Sequence, residues 1–175
     1  MNAKPLSRWS CMRMAAVAIA ATVLGCGGGG ALPGQTASCT ATLSGALSGT
    51  YDCKPAATAW QSSNNMGAFA FQVQQAGSTP GIQVGIGWTG EPQVKHYKQS
   101  DADAQGGVIV QTASSQNWSA VAGFQGTYDL NFTSVTNPIS ASNGKVYTTA
   151  GTLDATLPAT SGTGATGTIT VHVTF

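Results

Sequence analysis

The sequence predicts an all-β protein: a single antiparallel β-sandwich or barrel of about eight or nine short strands. Three observations predict it. Apolar residues recur at every second position along most of the chain, the spacing that gives a strand one buried and one solvated face. Clusters of Gly, Pro, Asn and Ser interrupt these runs at Gly77–Gly81, Gly90–Pro92, Asn137–Gly144 and Pro158–Gly167. Beyond residue 25, no stretch keeps a helical period for more than two turns. Short alternating runs with turn-rich breaks fit a sandwich and a barrel equally well. Composition adds a constraint on the surface. Charged residues are only 7% of the chain, against about 25% in ordinary soluble domains. Thr, Ser and Gly (22, 16 and 23 residues) make up about a third of it, so the solvated faces must be built of hydroxyls more than of charges. At 42%, apolar residues are too frequent and too regularly spaced for a disordered chain.

Taken in order, the chain opens on three basic residues, Lys4, Arg8 and Arg13, and an uncharged run of eleven, Met14 to Leu24. That run is too short to cross a hydrocarbon core of about 30 Å as a helix, and it has the length of a signal-peptide apolar region. Val23-Leu24-Gly25-Cys26 follows, a small residue directly before a cysteine. This stretch resembles a bacterial lipoprotein signal with its lipobox, although Val23 stands where Leu is more usual. The resemblance covers residues 1–26. It implies that a diacylglycerol is attached to Cys26 through a thioether, that residues 1–25 are removed as a signal peptide, and that the new amino group is acylated. Each buried CH₂ contributes about 0.8 kcal/mol and stable anchoring takes two lipid chains, so a diacylated Cys26 would hold the protein at the membrane. Lipoproteins kept at the inner membrane often carry Asp after the cysteine. Gly27 therefore implies the outer membrane of a Gram-negative cell envelope. Residues 26–38 read as the lipidated cysteine and a flexible Gly-rich tether, whose r.m.s. span of roughly 20 Å keeps the following domain near the membrane without packing it there.

Removal of the signal would leave 150 residues, enough for one domain with a sizeable core, at 39–175. Of four cysteines, Cys11 leaves with the signal and Cys26 takes the lipid. Cys39 and Cys53 remain as a pair in an exported domain, where disulfides persist. The segment between them reads as a hairpin. Cys39, Ala41 and Leu43 alternate with Thr40, Thr42 and Ser44, and Leu47, Tyr51 and Cys53 alternate with Ser48, Thr50 and Asp52, around a turn at Gly45-Ala46. Both cysteines lie seven residues from Ala46, so a register centred there sets them opposite each other and predicts a cross-strand disulfide. A zinc site is the alternative, but His96 and His172 lack ligand spacing to either cysteine.

The next strands are Phe69/Phe71/Val73, Ile82/Val84/Ile86/Trp88 and Val108-Ile109-Val110, each named by its apolar face. Trp118/Ala120/Ala122/Phe124 is a weaker candidate, followed by Tyr128/Leu130/Phe132 and a run from Val146 to Thr149. Leu153/Ala155/Leu157 and Ile169/Val171/Val173/Phe175 close the chain, the last with Thr168, Thr170, His172 and Thr174 opposite.

Loss of the three basic signal residues leaves four basic and six acidic residues, a formal charge of −2. No patch of that size neutralises many phosphates, which excludes nucleic acid as a partner. The patterns G-x-S-x-G, H-E-x-x-H and G-x-x-x-x-G-K are missing, and Glu91 is the sole glutamate, so enzymatic signatures are poor. Asp101, Asp103, Gln105 and Gly106 imitate the first half of a calcium loop, but Thr112 stands at the twelfth position where a bidentate Glu is needed. A solvated loop is therefore expected, with neither metal nor cofactor. Lys95-His96-Tyr97-Lys98 is the one cationic cluster, placed to pair with that acidic loop at the surface. The reading favoured is a lipid-anchored envelope protein with a structural or interaction role, binding an envelope protein or polysaccharide through its loops. One alternative is a carbohydrate-binding module that stacks sugars on Trp60, Tyr97 and Trp118. Another is a small hydrolase with His96 as base.

Overall fold

The structure is a computed structural model that describes residues 38–53 and 56–175. The lipobox, Cys26 and the tether up to residue 37 lie outside the described residues.

Alternation turns into strands almost throughout, and every strand pairing is antiparallel. The first hairpin joins β1 (Thr40–Gly45) to β2 (Gly49–Asp52). Thr40 faces Asp52 and Thr42 faces Thr50, the register centred on Ala46. Cys39 and Cys53 are therefore opposite and form a disulfide, with Cα atoms 5.0 Å apart. There follow β3 (Ala57–Gln61), β4 (Met66–Val73), β5 (Gly81–Thr89) and the short β6 (His96–Lys98). β7 (Gln105–Gln111) and β8 (Asn117–Val121) come next. Two strands of 15 residues, β9 (Thr127–Ala141) and β10 (Gly144–Pro158), then form a long hairpin, and β11 (Thr168–Thr174) ends the chain.

One continuous sheet runs β2-β1-β11-β10-β3-β4-β5-β7-β8, with β9 on the other edge of β10 and β6 on β9. β10 explains why this sheet folds into two layers. Its first part, Gly144–Tyr147, pairs with β3, and its last part, Thr152–Pro158, pairs with β11 on the same edge. The change of partner falls beside a register shift between Ala150 and Gly151, where β9 carries Thr133 as an extra residue. Such a bulge bends a strand and increases its twist. Gly151 is needed there, since a Cβ would collide with the carbonyl of Asn131. A second register shift lies near Pro138, which has no N–H to give to the ladder. One layer is thus β2-β1-β11-β10-β9-β6 and the other is β3-β4-β5-β7-β8. They meet again where Trp118 of β8 bridges Ala159, just past β10. The ends of the path, β2 and β8, do not pair, so the fold is sandwich-like and not a closed barrel.

The core between the layers is continuous. Phe69 of β4 packs on Phe132 of β9 with ring centroids 6.0 Å apart and on Phe175 at 4.4 Å. Trp88 of β5 stacks on Tyr97 of β6 at 4.3 Å. Leu43, Ile82, Val108, Leu130, Leu153, Ile169 and Val171 fill the rest, each buried on the expected face of its strand. The lone buried polar pair among the described residues is Thr58 and Thr149, whose hydroxyls hydrogen-bond to each other at 2.8 Å.

The described residues hold eleven strands, against the expected eight or nine. The runs 146–149 and 153–157 are one strand, because Gly151 between them carries no side chain to mark the inward face. The expected break at Asn137–Gly144 is strand up to Ala141, with only Ser142-Asn143 as the turn. β8 stops at Val121, because Gly123 and Gly126 take positive φ (77° and 80°), and Phe124 is left exposed.

Candidate functional site

The outward face of the first layer is entirely polar along its central rows, and the strand registers set its side chains in lines. Lys98 of β6 faces Asp129 of β9. Asp129 faces Asp154 of β10, Asp154 faces His172 of β11, and His172 faces Thr42 of β1. One row away lie Thr127, Thr156, Thr170 and Ser44, again mutually opposite. On the other side are His96, Asn131, Thr152, Thr174 and Thr40. The same alternation that buries Tyr128, Leu130, Leu153, Ala155 and Val171 forces these side chains outward.

Two imidazole–carboxylate pairs stand on this face. His172 Nδ1 is 2.6 Å from Asp154 Oδ1, and His96 Nδ1 is 2.8 Å from Asp129 Oδ1. Lys98 Nζ lies 3.9 Å from the other oxygen of Asp129. With Nδ1 engaged, each ring presents Nε2 to solvent. Around the central residues runs an open groove of about 500 Å³, within the range of small-molecule sites. Its floor is β9, β10 and β11 at Thr127–Asp129, Asp154–Thr156 and Thr170–His172, and Lys98, Gln99 and Ser100 form one wall. Gln99 is fixed by its amide N–H groups, which donate to the carbonyls of Val121 and Phe124. Tyr128 beneath the groove is held protonated: burial first, then Asp101 and Asp103, push its hydroxyl up to about 12.

A second charged cluster lies elsewhere on the molecule. Glu91 accepts from Lys145 Nζ at 2.8 Å and from the hydroxyl of Tyr147. These bonds hold the Glu91 carboxyl below the usual carboxylate range. Burial, then the Glu91 bond, raises the Tyr147 phenol. The cluster clips the loop after β5 onto β10 and leaves little unengaged chemistry.

The aromatic platform of the carbohydrate-binding alternative is not assembled. Tyr97 is buried because it alternates in phase with Leu130 opposite; its ring lies on Trp88 and its hydroxyl accepts from the Gln93 N–H at 2.8 Å. Trp118 is 2% exposed because it sits opposite Val110 in the core row, with Nε1 donating to the Thr166 carbonyl. Trp60 is half-buried, donates to Asn65 Oδ1 at 3.1 Å, and is covered on one side by Lys145, 5.5 Å from the ring centroid. Three rings in these positions offer no common face to a sugar. His96 is exposed as expected, but its partner is Asp129 and not the acidic loop. Lys95 instead lies over the Tyr97 ring at 4.6 Å. In the loop itself, the Asp101 carboxylate accepts from the Lys98 N–H and Asp103 from the Thr89 N–H, both at 2.8 Å. Their oxygens serve backbone turns, which also holds the Asp103 carboxyl below its ordinary value.

Asp129 and Asp154 are the residues that sequence reasoning passed over as site candidates, and His172 reads in the sequence only as an outward strand histidine with no partner. Their parity marks each as outward, but their convergence depends on the order β6-β9-β10-β11, which no local pattern carries. Among the described residues, neither imidazole is hydrogen-bonded to a serine or threonine hydroxyl, and no three His, Cys, Asp or Glu side chains are grouped to hold a metal ion. The arrangement can accept and donate hydrogen bonds at its exposed atoms. Compared with known proteins, the chain matches no family model, no curated protein and no solved structure.

Proposed function

We propose that the chain is a lipid-anchored protein of a bacterial cell envelope, held at the outer membrane through Cys26, whose β domain serves binding and not catalysis. The observation that carries this reading is the order of segments: a basic and apolar leader, Val23-Leu24-Gly25-Cys26, and a glycine-rich tether before the domain. The Cys39–Cys53 disulfide supports it, since such bonds persist in oxidising compartments outside the cytosol. The binding role moves from the loops to the groove across β9, β10 and β11, where unengaged polar atoms converge on rigid strands. Strands hold such atoms in place better than loops do, so less ordering is needed when a partner arrives.

Mass spectrometry of the mature N-terminal peptide tests the anchor. Acyl mass on Cys26 is the expected result, and Cys26→Ser should leave the precursor unprocessed or release the domain from membranes. A free thiol at Cys26, or cleavage at another position, would overturn the reading.

A further inference from the structure

The groove is rich in acceptors and poor in donors. With Nδ1 of His172 set against Asp154, Nε2 of the neutral ring is an acceptor. Asp154 Oδ2 has no partner among the described residues, and Asp129 Oδ2 has only Lys98 at 3.9 Å. With His172 counted as neutral, Lys98, Asp129 and Asp154 give the groove a formal charge of −1. Asp129 and Asp154 are also directly opposite on neighbouring strands, where like charges oppose pairing. A cation seated between them would relieve that repulsion. The surrounding Thr127, Thr156 and Thr170 are short, β-branched and stiff at χ1, so they can order a hydroxyl-bearing ligand at small entropic cost. The groove's side walls carry no exposed aromatic ring.

We propose that this groove binds a saccharide chain bearing free primary amines, with an ammonium between Asp129 and Asp154 and ring hydroxyls donating to His172 Nε2. The proposal rests on the envelope-binding reading and names its ligand. Acidic polymers are disfavoured by the same carboxylates. Without a stacking ring, a single contact is weak. Display of many anchored copies at one membrane would then supply avidity.

Calorimetry on the purified protein, with chelator present, tests it using three probes: a glucosamine tetramer, its N-acetylated counterpart and a galacturonic acid tetramer. The glucosamine tetramer should bind with a dissociation constant below about 1 mM, more tightly than the acetylated form, and the acidic tetramer least. Asp154→Asn is exposed and nearly isosteric, and should weaken glucosamine binding about tenfold or more, the loss expected for one charge-assisted hydrogen bond. Equal or tighter binding of the acidic tetramer, or unchanged affinity in Asp154→Asn and Asp129→Asn, would overturn the proposal. So would the absence of any saccharide binding. A second measurement separates this failure from failure of the binding role. Co-sedimentation with lipid-free sacculi that is lost in Asp154→Asn, while no saccharide binds, leaves the groove as a binding site and removes the ligand class. Failure to co-sediment, together with no saccharide binding, removes both.

Discussion

Cys39 and Cys53 close the far end of a hairpin in which β2, among the described residues, pairs with β1 alone. β2 contributes only four residues and sits at the sheet edge, so few hydrogen bonds hold it in place. A bridge closing about 15 residues restricts the unfolded chain by about 3 kcal/mol on the entropy account. The core residues Phe71, Ile86, Leu130 and Val171 lie outside that loop and remain packed without it. The Cys39→Ser/Cys53→Ser variant should therefore fold, with a loss of about 2–3 kcal/mol and a melting midpoint lower by roughly 4–12 °C. Identical midpoints, or two titratable thiols in the native wild type, would show that the bridge carries no load. The buried phenols act at the opposite end of the pH scale. Tyr128 has a raised pKa in the folded state, so folding binds its proton more tightly than the unfolded chain does. Its contribution is complete below the unfolded value of about 10. It is lost as pH rises through the folded value of about 12. Tyr97, raised chiefly by burial, works in the same direction. Denaturant midpoints should fall steadily above pH about 10, and Tyr128→Phe should flatten that fall. A profile that is level across this range, or unchanged in Tyr128→Phe, would refute the assignment.

At the scale of elements, the faces of strands were legible and their neighbours were not. Ile82, Val84, Ile86 and Trp88 announce β5 by period alone, and the hairpin register follows from the distance of each cysteine to Ala46. β3 and β6 were invisible for different reasons. Ala57–Gln61 holds Thr58 as an inward residue, made tolerable only by Thr149 on β10, 91 residues away. His96–Lys98 shows one apolar residue between two charged ones, too short for a period. Ser, Gln and Asn surround Trp118 in sequence and give it the look of an exposed ring, whereas its burial is decided by Val110 opposite. The candidate groove was hidden for the same reason as β3. Its floor takes two outward residues from each of three strands, and β9 and β11 come together only through β10. Sequence period fixes which way a side chain points, while long-range pairing fixes what it meets.

At the scale of the whole molecule, the β9–β10 hairpin decides whether the two layers can come apart. β10 is hydrogen-bonded to β11 in one layer and to β3 in the other, so neither layer has a complete set of strands without it. Phe132 of β9 touches Phe69, Trp88, Tyr97 and Phe175, which belong to both layers. A domain with one continuous core and shared strands should lose both layers in one cooperative step. The chromophores allow the two to be watched separately. Trp60, Trp88 and Trp118 lie on β3, β5 and β8 of one layer, Tyr51, Tyr97 and Tyr128 lie on β2, β6 and β9 of the other, and Tyr147 lies on the part of β10 that pairs with β3. Urea unfolding followed by tryptophan fluorescence and by tyrosine absorbance should give coincident midpoints. Phe132→Ala should lower both midpoints together, at a cost of about 3–5 kcal/mol, the usual range for a buried phenylalanine. Midpoints that separate in the wild type, or a Phe132→Ala variant that shifts only one signal, would mean that the layers are independent and that the bulged hairpin does not couple them.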